Sequence, residues 1–566
     1  MGVNVLLWQR LGVPSSGEIR IALEAELAAL GVWKGTPSLL PEIMIRVEVL
    51  RLRDMMAAPQ ESSPARDLTL RHLGRQYQIL QGLLPIWGAR FLCADVSSVV
   101  SPDWRHVRQL VDFSVKYHDV GNALDGLTVG ANKLVPLPIM TRLRRPRVRG
   151  AQLLTRFPAR EAYAGRLTAR PRLRSRIILE HEWDRFWQIP HLQAWIDGRG
   201  DLKELPDEAR TALMLLAIHH VESLDSFLPR KAVVGHVSVE NAREMWAAVV
   251  FATNLIDLDA RTSGSYWPVF WQDAEQAATW IADTTGVVVD QARAFVTLLT
   301  HREETDVDAA LSPLVVLDDG VYAFGSLVLA SNIERNLIRL VYARRLPGGR
   351  IGNLLGVAGE RRVRAVFADI SGVRILTRQK VYSATTDKPV AEFDLVAWSQ
   401  LEGCGLVVEV KSWPGPDGYR EGARLIQTIA AAQAKLLEGS RKITDGEWRY
   451  ERKQHVPNAD ELEWNFCVIG PSYFSGAQLL ESPIPYMSLA VLEYEKNQLV
   501  SPPSLQWILD LLKEVAPPIG RAEYSVGIRK YKVQELDVFV DEVVSATAIP
   551  AEYVGTQATS QATPWP

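Results

Sequence analysis

The chain has 566 residues, a mass of 63.2 kDa and a formal net charge of −3, with 47% apolar and 23% charged residues. These ordinary globular values leave room for about two to four domains with cores of their own, and exclude a fibrous or wholly disordered chain. A balance this close to neutral provides no whole-protein field for nucleic acid, so any such binding must come from a local patch.

Residues 1–140 read as a helical domain. SGEIRIALEAELAALG, PEIMIRVEVLRLRDMM and LRHLGRQYQILQGLLPIW carry apolar residues at three- and four-residue spacing. APQESSPARD, at 58–67, marks a loop. SPDWRHVRQLVDFSVKYH opens with Ser101 as the expected N-cap and Pro102 at the first helical position. The N-terminal MGVNVLLWQRLGVPSSGE lacks the basic flank and long apolar core of a signal peptide. No apolar run approaches the ~18 residues of a membrane span. The nearest, MWAAVVFATNLIDL at 245–258, reads as a buried helix. Cys93, Cys404 and Cys467 have no metal-ligand spacing and suit a reducing compartment as buried thiols, so a cytoplasmic protein without a membrane partner is expected.

Residues 141–177, TRLRRPRVRGAQLLTRFPAREAYAGRLTARPRLRSRI, are dense in arginine and nearly free of acid. Arg144, Arg145, Arg147, Arg149, Arg172 and Arg174 suit phosphate oxygens, and Phe157 and Tyr163 could stack on bases. The same composition also fits a solvated linker, or arginines paired with acids elsewhere. Pro146, Pro158 and Pro171 argue against one long helix.

Residues 178–310 return to helical spacing and are rich in tryptophan, whose expected role is to hold helices together. His219 and His220 are adjacent and therefore face different sides of a helix, while His181 and Glu182 lack the second histidine of a zinc-protease motif. No phosphate loop, dinucleotide turn or Gly-x-Ser-x-Gly elbow occurs. SPLVVLDDGVYAF, at 312–324, predicts a hairpin about Asp319-Gly320; with the helix SLVLASNIERNLIRLVYARR it fills 311–346, and LPGGRIGN is a linker.

In GNLLGVAGERRVRAVFADI, at 352–370, Glu360, Val363, Phe367 and Ile370 share a helical stripe, so Glu360 is the odd charge on a core-facing side. AEFDLVAWSQLEGCGLVVEVKSWPG, at 391–415, predicts two strands joined by a turn at Glu402, Gly403 and Gly405. The second strand is apolar on both faces around Leu406, Val407, Val408 and Val410. Period-two alternation places Glu409 and Lys411 on one face, and Asp394 interrupts the neighbouring strand between Phe393 and Leu395. Such charges are costly in apolar strands unless they meet one another, a metal or a substrate. Glu392, two residues before Asp394, is either a further ligand or a solvated residue where the strand begins. REGARLIQTIAAAQAKLLEG follows as a helix with Leu425, Ile429, Ala432 and Leu436 in register. WNFCVIG and MSLAVLEYEKNQLV read as further strands, SLQWILDLLKEV as a helix, and IPAEYVGTQATSQATPWP as a disordered tail.

The order Asp, turn, Glu-x-Lys resembles the PD-(D/E)xK, restriction-endonuclease-like nucleases. The wording AGERRV, EFDLVAW, LVVEVKSWPG and RLIQTIAAAQAKLL is most similar to the nuclease-related (NERD) and Mrr-like branches, over about 350–500 only. The resemblance implies Mg²⁺ or Mn²⁺ held by Asp394, Glu409 and the Val410 carbonyl, with Glu360 supporting a ligand water or second ion. Lys411 would stand by the attacking water and scissile phosphate, and Gln427 or Gln433 could be a site amide on the following helix.

The expected fold class is α+β and multidomain: a large helical N-terminal region, then a restriction-endonuclease-like domain with a mixed sheet at 347–515, and a C-terminal extension at 516–566. The expected function is metal-dependent endonucleolytic hydrolysis of double-stranded DNA in bacterial restriction or antiviral defence, the helical region sensing a target. A homo-oligomer or further defence-system subunits would be the protein partners. The alternatives are a nucleic-acid-binding scaffold with a non-cutting nuclease fold, and an RNA-cutting effector.

Overall fold

The computed structural model describes residues 14–33, 40–57, 64–91, 103–128, 132–136 and 149–155. Between 182 and 545 it describes all but 199, 225, 264–265, 302–308, 318–319, 344–350, 414–418, 452–453, 458–460, 472–481, 500 and 516–523. Two units are formed, and neither is one continuous stretch of chain. One joins Gly17–Gly121 to Ser175–Ile351; the other joins Asn122–Arg174 to Gly352–Pro566. Helices and several mixed sheets make the protein α+β.

Apolar periodicity forms helices α1 (Ser16–Ala28), α2 (Leu40–Ala57), α3 (Pro64–Phe91) and α4 (Trp104–Thr128) in the first unit, the end of α4 from Asn122 being assigned to the other. Two starts differ from expectation. Helix α3 begins inside the 58–67 loop, because Pro64 suits a first turn whose N–H groups have no helical partner. Ser101 and Pro102 lie outside the described residues, and the Asp103 carboxylate instead accepts from Arg105 N–H at 3.0 Å, capping α4.

Strands β1 (Asn132–Pro136) and β2 (Arg149–Thr155) belong to the other unit. The first unit resumes with α5 (Pro190–Asp197), α6 (Asp207–Glu222), the small pair β3 (Val233–Val234) and β4 (Val237–Ser238), and α7 (Val239–Ser263). Helix α7 is buried all round from Met245 to Asn254, Trp246 included, which is why its sequence comes nearest to a membrane span. Among the described residues no helix is long and apolar enough to cross a membrane. Not every tryptophan is a packing residue, since Trp267 is 66% exposed.

Strand β5 (Val269–Trp271) precedes α8 (Ala274–Thr285) and α9 (Val289–Leu299), which are separate because Gly286, at φ 75°, ends α8 in a left-handed cap. After β6 (Thr300–His301), strands β7 (Leu314–Leu317) and β8 (Gly320–Ala323) form the expected hairpin, with Leu317 opposite Gly320. The single helix expected over 326–345 is two, α10 (Gly325–Val328) and α11 (Ile333–Ala343). A buried polar cluster crosses this unit. Glu48 accepts from Arg51, from Ser326 N–H at 2.9 Å and from the Ser326 hydroxyl at 2.6 Å, and Arg51 also reaches Asp257 at 2.9 Å.

The second unit is built on helix α12 (Ile351–Ala368) and strands β9 (Arg374–Ser383), β10 (Pro389–Ser399) and β11 (Cys404–Val410). Helix α13 (Tyr419–Thr444), strands β12 (Trp448–Tyr450), β13 (Glu463–Gly470) and β14 (Tyr486–Ser488), and helices α14 (Leu489–Gln498) and α15 (Leu505–Val515) complete it. The sheet order is β12-β9-β10-β11-β13-β14. Strands β9, β10 and β11 are antiparallel neighbours, and β13 and β14 run parallel to β11. Phe367, Leu492 and Leu509 bring α12, α14 and α15 onto one face. Ile429 and Leu436 bring α13 onto the other, against Val407 and Val468.

Residues 487–500 were expected to be a strand and are mostly helix: Ser488 ends β14 and its hydroxyl caps α14 at Val491 N–H. A hairpin not foreseen in the sequence, β15 (Tyr524–Val533) and β16 (Leu536–Ser545), falls in the C-terminal extension. It turns at Gln534 (φ 51°) and pairs β16 in parallel with β2, giving a second sheet β1-β2-β16-β15. The tail at 549–566 lies outside the described residues.

Candidate active site at the end of strand β11

Strand β11 is apolar towards both helical layers, and its ladder with β10 ends at Leu395 opposite Val408. Alternation sends Val408 and Val410 towards α12, and Val407 and Glu409 towards α13. Glu409 is only 4% exposed, yet both carboxylate oxygens are met by ammonium groups. Lys411 Nζ donates to one at 2.7 Å, and Lys435 Nζ donates to the other at 2.7 Å. This explains how a carboxylate survives in an apolar strand: its lost hydration is replaced by two charge-assisted bonds.

Asp394 lies just beyond the end of the ladder, where its carboxylate accepts from Val410 N–H at 2.7 Å in place of a backbone carbonyl. Burial first, and the charge of Glu409 second, push its carboxyl up to about 6. The Val410 N–H, Lys411 and Lys435 oppose the shift without cancelling it. Asp394 therefore holds a proton more strongly than a solvated aspartate does.

The structure thus brings Asp394, Glu409 and Lys411 together as expected. Glu360 is handled differently. Although it projects from α12 on the expected stripe, its carboxylate accepts from Arg378 Nε at 3.0 Å. Arg378 sits on β9 at φ 51°, a left-handed value unusual for a strand residue, and its charge is held more firmly by Glu360, then by Glu392 and Asp394. Among the described residues no three His, Cys, Asp or Glu side chains stand together ready to hold a metal ion, so Glu360 does not form a third ligand in this geometry.

Helix α13 departs from expectation too. Gln427 is exposed, since it lies about 200° around the helix from the buried Leu425. Gln433 is buried, but its amide donates to the Ile484 carbonyl at 2.5 Å, tying the helix to the approach to β14. The residue that α13 does send to Glu409 is Lys435, which the sequence reading passed over. Its signal was positional, three residues after buried Ala432 and one before buried Leu436. Its ammonium also donates to the Glu392 carbonyl at 2.6 Å and lies 5.7 Å from the Phe393 ring centroid. The Glu392 side chain itself is exposed.

Of the arginine-rich segment, Arg144, Arg145, Arg147, Arg172 and Arg174 lie outside the described residues, and Arg149 opens β2 opposite Leu536. His220 is half-buried on α6, and desolvation lowers its pKa, whereas His181 lies outside the described residues. Compared with known proteins, the chain matches no family model, no curated sequence and no solved structure.

Proposed function

We propose that the second unit hydrolyses phosphodiester bonds of nucleic acid with a divalent cation, and that double-stranded DNA is its substrate. The observation that carries this reading is that Asp394 on β10 accepts from Val410 N–H at 2.7 Å, next to Glu409 on the adjacent strand, with Lys411 Nζ 2.7 Å from Glu409. The order of helix, three antiparallel strands, helix and parallel strand also supports a restriction-endonuclease-like domain.

The donor set fits a hard cation, because two carboxylates that disfavour each other's charge offer oxygen ligands while phosphate and water supply the rest. Asp394 and Glu409 would hold Mg²⁺ or Mn²⁺, with the Val410 carbonyl as the neighbouring backbone oxygen. When bound, the cation supplies Lewis-acid stabilisation to the phosphate and lowers the pKa of the attacking water. Lys411, partly exposed beside Glu409, places an ammonium where charge develops on the phosphate oxygens. Arg378 holds Glu360 at the rim, leaving Glu360 to act on solvent there instead of on the cation directly.

Nicking of supercoiled plasmid in Mg²⁺ against EDTA tests the reading. Asp394→Ala and Lys411→Ala should each lose roughly 10²–10³ in rate, the scale of deleting one electrostatic contact in a preorganised site. Variants that cut as well as the parent refute the assignment. Duplex DNA, single strands and RNA offered in parallel separate a DNA enzyme from an RNA-cutting effector. A non-cutting platform gains some support from the complete pairing of Glu409 with lysines. Under that alternative Mg²⁺ does not stabilise the protein thermally, whereas the enzyme is stabilised and Glu409→Ala abolishes the effect.

A further inference from the structure

Lys435 has three neighbours with different chemical claims on its ammonium: the Glu409 carboxylate, the Glu392 carbonyl and the face of Phe393. Only the first is an oxygen that a divalent cation needs. Lys411 lies two residues from Glu409 along the same chain, whereas Lys435 arrives from a separate element, α13. If Lys435 yields its contact with Glu409, the carbonyl and the ring still hold its ammonium at the site, with one N–H released. A lysine carries three such donors, and this side chain is 37% exposed, so the released donor has access to a ligand from solvent.

Charge counting points the same way. Asp394 and Glu409 against Lys411 and Lys435 leave the metal-free site neutral, while Glu360 and Arg378 cancel each other at the rim. A divalent cation then adds two positive charges. A phosphodiester monoanion together with one hydroxide matches them, whereas a phosphomonoester dianion with hydroxide exceeds them. Without Lys435 the assembly with a diester would carry an uncompensated negative charge in a partly buried site, which is costly.

Resting on the phosphodiester reading above, we infer that Lys435 is a second phosphate-binding cation: it holds Oε2 of Glu409 until a divalent cation takes that oxygen, and then contacts the diester. The inference assigns Lys435 both a metal-competing role and a substrate-binding role, and it favours diesters over monoesters.

The test is calorimetric titration of Mn²⁺ into the full-length chain and its Lys435→Gln and Lys435→Arg variants, followed by steady-state cleavage of a short duplex oligonucleotide at saturating Mn²⁺. Lys435→Gln should bind Mn²⁺ several-fold more tightly than the parent, because the competing ammonium is gone. Its KM for the oligonucleotide should rise roughly tenfold, the equivalent of one charge-assisted bond. Lys435→Arg, which keeps the charge, should stay near the parent in both measurements and shows that the effect is not one of folding. Unchanged or weaker Mn²⁺ binding by Lys435→Gln overturns the inference while leaving the metal site standing, and so does tighter binding with an unchanged KM. A parent chain that binds no Mn²⁺ overturns the phosphodiester reading itself, and the inference with it.

Discussion

Replacing Asp394 by Asn should make the metal-free protein more stable at neutral pH while removing its metal response. The Asp394 carboxyl is raised from 3.8 to about 6, first by burial and then by Glu409. A shift of about two units corresponds to ~3 kcal/mol of folding free energy lost when the group is ionised; its remaining solvent contact reduces this to about 2 kcal/mol. Asparagine imitates the protonated acid and keeps an oxygen for the Val410 N–H. Below pH 3.8 the carboxyl is protonated in folded and unfolded chains alike, so parent and variant should be about equally stable. Between 3.8 and about 6 the folded chain retains a proton that the unfolded chain has released, so parent stability falls as pH rises. Above about 6 the whole penalty is present, and Asp394→Asn should lead by about 2 kcal/mol. Urea denaturation in EDTA at a series of pH values, read by hydrogen exchange of β11 and α13 peptides, reports on the unit that holds the site. A variant no more stable than the parent at pH 7.5, or a difference that does not change with pH, refutes the reasoning.

Two further changes test the packing around these charges. Arg51→Ala should cost the helical unit about 3–5 kcal/mol in urea denaturation, because it strips a cation from buried Glu48 and from Asp257; a loss below about 1 kcal/mol would show that Glu48 is satisfied without it. Gly405→Ala would put a methyl group 2.5 Å from the Trp464 ring across the β11–β13 ladder, so a loss of about 1–3 kcal/mol is expected by thermal denaturation, and an unchanged or raised melting temperature would mean the ring moves freely.

Much of the site was legible because strand geometry is simple. Period two places Glu409 and Lys411 together, and an acid in an apolar run demands a partner, so the 2.7 Å contact between them follows from composition and alternation alone. Lys435 was not legible in that way. A lysine on a helix is ordinarily a solvated one, and only the sheet beneath α13 reveals what it borders. Arg378 was hidden by its backbone, since nothing in ILTRQKVYS announces a left-handed residue within a strand. MSLAVLEYEK was misread because buried Leu489, Val491 and Leu492 suit either periodicity, and the cap at Ser488 decided for a helix. The β15–β16 hairpin escaped notice for lack of a turn signal: Gln534 and Glu535 replace the usual glycine, and the partner strand β2 is remote in sequence.

The pairing of β16 with β2 has a practical consequence for dissecting this gene. That ladder joins two segments far apart in the chain, so its sheet cannot close until β16 has been synthesised. A truncation begun at residue 352 would retain every residue named in the catalytic proposal, yet it would strip β16 of β2, one of its two neighbouring strands, and expose a row of open backbone groups to self-association. Recombinant expression of that segment should therefore yield aggregates unless residues 122–174 are supplied alongside it, fused or as a separate peptide.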